Sequence, residues 1–172
     1  LYKLKYKKLT VTPGIRYEDI HLRRENFGSN DPNRTGADLS TRENDLFVFI
    51  PGIGMNYKFN NQASIFVGIH KGFSPPGNEP DQKAEESINY EIGSRFNFKG
   101  LRGEIIGFYN DYSNLLGSDL AATGGTGSLD QFNAGEVCVK GIELLLNYNL
   151  MEKNSKFNMP LTFGYTLTDT SF

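Results

Sequence analysis

Long stretches of this chain place apolar side chains at every second position, and connections of alternating length join the stretches. The segment from Glu86 to Asn114 shows the plan. Ile88, Tyr90, Ile92, Phe96 and Phe98 form an apolar row broken only by Ser94, while Asn89, Glu91, Gly93, Arg95 and Asn97 between them are polar or small. A period of two sorts side chains onto the two faces of a strand. A tight basic turn at Lys99 to Arg102 and a second strand ending in Phe108-Tyr-Asn-Asp-Tyr112 complete a predicted hairpin.

The plan repeats along the chain. Tyr2, Leu4 and Tyr6 alternate with Lys3 and Lys5 before Lys7-Lys8. Leu9, Val11, Pro13, Ile15 and Tyr17 then share a face, and the proline suggests a local bulge. Phe47 to Phe59 alternates again, although Leu46, Val48 and Ile50 make the near end of its second face apolar as well. Ala63, Ile65, Val67 and Ile69 follow the turn at Asn60-Asn61, and two more alternating segments occupy 137–148 and 157–168.

About eight strands result, arranged as an all-β antiparallel meander. Short turns are expected at 7–8, 60–61, 99–102 and 152–155, and long polar loops at 26–44, 73–85 and 115–131. Short turns at one end and long loops at the other are the habit of outer-membrane barrels. Several strands exceed the five or six residues usual in soluble sheets and suffice for the roughly 9 to 11 that a tilted strand needs to cross a bilayer. Composition agrees, with only 38% hydrophobic residues but 13% aromatic and 19 glycines. A lipid-facing barrel needs apolar residues at alternate positions only, so its hydropathy stays low. Tyr17, Tyr57, Tyr90, Tyr112 and Tyr148 are expected to form girdles at the membrane interfaces.

Other classes find little support. A net charge of −2 with scattered basic residues argues against nucleic acid. The single Cys138 forms no internal disulfide, and His21 and His70 have no cysteine or carboxylate at ligand spacing, so no metal site is expected. Gly124-Gly-Thr-Gly127 precedes no helix that could cradle a phosphate. No nucleophile, base and orienting group cluster, so no enzyme and no cofactor are expected. No signal peptide opens the chain, no run of about 18 apolar residues could form a transmembrane helix, and both ends look like cuts through a larger sheet.

Several segments together resemble the TonB-dependent outer-membrane receptors, in particular the branch similar to the ferric citrate and siderophore receptors. They are Leu9-Thr-Val-Thr-Pro-Gly-Ile-Arg-Tyr-Glu18, Pro51-Gly-Ile-Gly54 with Tyr57, Gly72-Phe-Ser-Pro-Pro76, and Glu86 to Arg95. Phe108 to Asn114, and Asn133-Ala-Gly-Glu136 followed by Gly141-Ile-Glu143, complete the set. The resemblance implies that residues 1–172 are a slice of a 22-strand transmembrane β-barrel in the bacterial outer membrane. The family's N-terminal plug, through which TonB acts, is missing from these residues. It also implies a ferric siderophore or ferric citrate as transported ligand, not as cofactor, and contact with outer-membrane lipid.

Anion recognition favours arginine, whose planar donors match carboxylate oxygens. The ligand-contact candidates are Arg23, Arg24, Arg34, Arg42, His70 and Lys71 near the long loops. Arg16, Glu18, Glu91, Arg95 and Glu143 are expected on the lumen wall, with Arg95 paired to Glu91 or Glu143. The competing readings are a sibling receptor for glycan, cobalamin or heme, a free-standing eight-strand barrel that anchors or adheres, and a soluble β-sandwich.

Overall fold

The computed structural model describes residues 2–76, 83–118, 131–133, 135–150 and 159–172. Every regular element among them is a strand: β1 (Leu4–Tyr6), β2 (Leu9–Asn26), β3 (Ser40–Lys58), β4 (Ala63–Ser74), β5 (Glu85–Phe98), β6 (Leu101–Ser113), β7 (Leu116–Ser118), β8 (Gln131–Asn133), β9 (Val137–Asn149) and β10 (Pro160–Ser171). Eight of them build one antiparallel sheet in the order β1-β2-β3-β4-β5-β6-β9-β10, while β7 and β8 pair with each other in the connection between β6 and β9. The expected meander of eight strands is therefore present, with β1 and β10 at opposite edges.

Local chemistry sets the short turns. Lys99 and Gly100 both adopt positive φ, 45° and 88°, the pairing that a two-residue hairpin needs to follow the right-handed twist of its strands. This tightens the expected four-residue turn to two, because β6 already begins at Leu101. At the β3–β4 turn, the Asn60 carboxamide oxygen accepts from the amides of Gln62 (2.8 Å) and Ala63 (2.9 Å). The expected turn at 152–155 and the glycine run 124–127 lie outside the described residues.

The long connections are shorter than expected. β2 and β3 stay paired up to Asn26 opposite Ser40, leaving 27–39 as the loop instead of 26–44. β4 likewise runs to Ser74 and β5 starts at Glu85. Apart from Phe73, these strand ends are polar on both faces, so the hydrophobic period fades while the backbone ladder continues. No bulge forms at Pro13 either, since the β2–β3 register passes one-for-one through Pro13 opposite Ile53. β1 pairs only with Leu9 to Val11, so β2 has an open side at Pro13, the situation in which a strand tolerates proline. Pro51 repeats this in β3, one residue beyond the end of the β4 pairing at Gly52.

The sheet is a single layer. Val48 and Val137, at 3% and 6% exposure, are the buried hydrophobic residues among those described, whereas Ile15, Phe47, Ile92, Phe163 and Leu167 are each more than half exposed. A soluble sandwich would pack these side chains against a second sheet. Here one face presents them outward in a band.

That band runs obliquely to the ladder. The lowest row, Phe98, Leu101, Tyr148 and Leu161, is apolar throughout. A higher row begins apolar at Ile53, Ile69, Tyr90 and Tyr109 and ends charged at Lys140 and Asp169. An apolar belt that crosses ladder rows at an angle is what strands tilted to the membrane normal produce.

Three cross-strand pairs lock the sheet internally. Phe66 opposes Gly93, Phe96 opposes Gly103 and Phe108 opposes Gly141, and each ring lies where the glycine's side chain would be. A Cβ on Gly93 would stand 2.4 Å from the Phe66 ring and 2.7 Å from the Ile105 carbonyl oxygen. Gly93→Val should therefore destabilise the folded barrel by about 1–3 kcal/mol, the usual scale of overpacking. Urea titration of the full-length receptor in detergent, read by the gel shift between folded and unfolded barrel, checks this.

Candidate ligand-contact surface

Strand pairing assigns each candidate to a face, because residues directly opposite in neighbouring strands share one. The polar face carries Arg16, Glu18 and Arg24 on β2, Arg42 on β3, His70 on β4, Glu91 and Arg95 on β5, and Glu143 on β9. Arg23 and Lys71 stand on the opposite, apolar face, beyond its hydrophobic band. Neither lies in a loop: Arg23 is within β2, where it bonds Glu25 (2.6 Å) and approaches Glu43 (3.6 Å), and Lys71 is within β4, where it bonds Glu86 (2.8 Å). Parity moves both away from the surface that carries the other candidates.

On the polar face, Arg24 and Arg42 are direct cross-strand neighbours next to the loop end of the β2–β3 hairpin, with Asn26 and Ser40 one row nearer the loop. Two rows of strand bring the guanidinium stems within about 5 Å at Cβ. Lower on the same face, Arg16 is paired with Glu18. Arg34 lies within the loop itself, at φ 53°, with its guanidinium 5.8 Å from the centre of the Phe27 ring.

The loop that carries Arg34 is organised by one carboxylate. Asp31, 5% exposed, accepts from the Thr35 amide (2.9 Å), the Thr35 hydroxyl (3.0 Å) and the Gly36 amide (2.7 Å). Those donors, first the Thr35 amide, hold its pKa below the ordinary aspartate value. The sequence marks this turn by Asp-Pro followed by Thr-Gly, a signal overlooked when the loop is read only as polar.

Other contacts complete the polar face. Arg95 pairs with Glu104, not with Glu91 or Glu143, and its guanidinium lies 4.2 Å from the centre of the Phe66 ring. Counting outward from the Lys99-Gly100 turn places 95 opposite 104, so the correct partner was readable once the turn was reduced to two residues. Glu91 stands between Gly68 and Phe108, and Glu143 between Ile106 and Thr166. His70 lies opposite Gly52 and Asn89, and among the described residues no group of three His, Cys, Asp or Glu side chains could hold a metal ion. Tyr112, expected in the interface girdle, lies on the polar face opposite Ser87 and Val137; Tyr109 takes the outward position, 6.0 Å from Tyr90 between ring centres.

A single-layer tilted sheet with an apolar outer belt, a polar inner face and long connections at one end defines a segment of an outer-membrane barrel. The family model described as "TonB dependent receptor-like, beta-barrel" matches residues 2–172, and the chain belongs to that family of bacterial outer-membrane receptors. It is 29% identical over 157 residues to the ferrienterobactin receptor of Escherichia coli K12, an alignment that covers 83% of this chain and 20% of the relative. The chain thus spans about a fifth of that protein's length. Among solved structures, the FrpB iron transporter of Neisseria meningitidis (F5-1 variant) superposes with a TM-score of 0.69 at 16% identity, over 98% of this chain and 25% of the other. The alcaligin outer-membrane receptor FauA of Bordetella pertussis gives 0.67 at 18% identity, over 98% and 29%. These superpositions establish the fold. Over the described residues the sheet is open, with β1 and β10 at its edges, and it matches about a quarter of these larger barrels.

The Asp31 turn gives a pH signature. Because the folded pKa is lowered, the carboxylate's contribution is complete above the ordinary value of about 3.9 and is lost as pH falls through the lower folded value. A nitroxide attached after Asn33→Cys, in a Cys138→Ser background of the full-length receptor, should be restrained at pH 6 and gain mobility only below about pH 4. Adding Asp31→Ala should make it mobile at both. The Arg95–Glu104 pair gives a second test: Arg95→Glu should lower urea stability by about 1 kcal/mol or less, as expected for a half-exposed pair, and Glu104→Arg in the same chain should restore part of the loss.

Proposed function

We propose that residues 1–172 form part of the barrel wall of a receptor that imports a ferric siderophore, energised by TonB through a plug that lies outside this chain. The observation that carries the reading is the Arg24–Arg42 pair, set side by side on the polar face at the loop end of the β2–β3 hairpin. Two guanidinium groups in one row can both donate to a single anion, each by a charge-assisted hydrogen bond. Arg34, in the adjoining loop, adds a third donor fork within the same region.

The names of the relatives favour a siderophore over ferric citrate. The aligned curated protein is a receptor for ferrienterobactin, and one of the superposed structures is a receptor for alcaligin. Lumen-wall roles for Arg16, Glu18, Glu91, Arg95 and Glu143 follow from the same reading, with the polar face lining the interior. His70 then serves as a wall residue and the iron arrives already chelated, which requires no protein ligand.

Titration of the full-length receptor with ferric enterobactin and with ferric citrate tests this reading. The siderophore should bind the unaltered receptor, and the double variant Arg24→Ala/Arg42→Ala should lose at least about tenfold in affinity, the scale of one charged hydrogen bond. Unchanged affinity in the double variant would remove the arginine pair from the site. Binding of ferric citrate alone would shift the cargo to citrate.

A further inference from the structure

Charge is spread unevenly between the two ends of the sheet. The β1–β2, β3–β4 and β5–β6 turns with their flanking residues, 2–10, 56–64 and 96–103, contain no aspartate or glutamate. Lys3, Lys5, Lys7 and Lys8 crowd the first, Lys58 precedes the second, and Lys99 and Arg102 frame the third. All of them are exposed, and among the described residues none pairs with a carboxylate. The whole chain carries −2, so this rim opposes the charge of the rest.

Turn geometry does not account for the lysines. Lys7 and Lys99 adopt positive φ, 52° and 45°, where glycine or asparagine is the less strained choice. Lys8 has a local role, since its ammonium donates to the Phe59 carbonyl at 2.6 Å. The side chains of Lys5, Lys58, Lys99 and Arg102 make no hydrogen bond or ion pair among the described residues.

Register decides which way the charges face. On the polar face Lys5 stands opposite Thr10, Lys58 opposite Ser64, and Arg102 between Asn97 and Asn147. The other face at this end is apolar, from Tyr6, Leu9 and Tyr57 to Phe98, Leu101 and Tyr148. Cations that serve lipid head groups reach out from the lipid-facing surface; these stand at the barrel mouth and the turn tips. In an outer-membrane barrel the end with short turns opens to the periplasm. Successive basic turns lie two strands, roughly 10 Å, apart. Between the second and third, a polar hollow of about 240 Å³ is lined by Lys58, Asn61, Gln62, Ser64 and Asn97.

We infer that this rim docks the peptide stems of the cell-wall polymer, peptidoglycan, with their free carboxylates on Lys5, Lys58, Lys99 and Arg102 and their amide groups against Asn61, Gln62 and Asn97. Charge complementarity selects the carboxylate, and the carboxamides in the hollow match peptide groups. The regular spacing of the basic turns suits a repeating polyanion better than one acidic patch on a folded protein. Such docking holds the receptor against the wall whatever its cargo.

Cosedimentation of the full-length receptor in detergent with isolated peptidoglycan sacculi tests this, beside sacculi whose carboxylates have been converted to amides. The receptor should pellet with the native sacculi, less so as ionic strength rises, and should stay in solution with the amidated ones. Lys58→Gln/Lys99→Gln/Arg102→Gln should weaken binding about tenfold, the scale of three exposed ionic contacts, while Lys58→Arg/Lys99→Arg should preserve it. If the triple variant folds poorly, the amidated sacculi still decide with the unaltered receptor. Equal pelleting with amidated sacculi, or undiminished binding by a folded triple variant, overturns the proposal. So does full competition by hexaglutamate at an equal carboxylate concentration, which assigns the rim to an acidic protein segment.

Discussion

The constraint on which everything else here depends is that a strand in hydrocarbon must find all its backbone partners in neighbouring strands, since lipid offers none. That requirement explains why β4, β5, β6 and β9 are paired on both sides across the band and why the order of strands in the sheet follows their order in the sequence. A meander needs only local turns to satisfy each ladder. It also frees the side chains from building a core. With the backbone satisfied laterally, one face can carry an apolar band and the other a mainly polar surface, and the lack of a buried interior becomes a property of the solvent instead of a defect of the fold.

Without a second layer, rigidity has to come from within the sheet. The Phe–Gly pairs supply it by laying a large ring flat over the neighbouring backbone, on the polar face at Phe66 and Phe108 and on the apolar face at Phe96. Phe66 shows how far the coupling extends: Gly93 lies beneath its ring, Arg95 lies over it, and Arg95 in turn holds Glu104 on β6. Four residues on three strands thus form one connected unit on the polar face. The charge of Arg95 is visible in the sequence, and its packing over an aromatic ring is not.

Much of this architecture was legible because a lipid boundary writes itself into every second residue. The strands, their order and the outward faces of β3, β4, β5 and β10 follow from period two alone. Legibility failed where the boundary ends. Beyond the band both faces meet water, so Arg23 to Asn26 and Ser40 to Asp45 carry no apolar period, although their ladder is continuous; the arm that carries Arg42 therefore reads as loop in the sequence, while Arg24 reads as strand. Tyr112 was misplaced for a related reason. Phe108, Tyr109 and Tyr112 crowd both faces of β6 with aromatics, so only the register against β5 and β9 decides which one meets lipid.

The candidate site was legible in residue type and not in arrangement. Arginine near a long polar connection announces anion chemistry, but whether two arginines can act on one anion depends on which face each occupies and on the row they share. Arg23 and Arg24 are adjacent in sequence and stand on opposite faces; Arg24 and Arg42 are separated by the loop and stand side by side. The difference is a single residue of register, and register is fixed by the Asp31 turn at one end of the hairpin and by the one-for-one passage through Pro13 at the other. A loop lengthened or shortened by one residue would slide the ladder and carry one arginine of the pair to the lipid side. The register that sets the pair side by side is thus inherited from two features, a buried carboxylate and an unbulged proline, neither of which belongs to the row that holds the arginines.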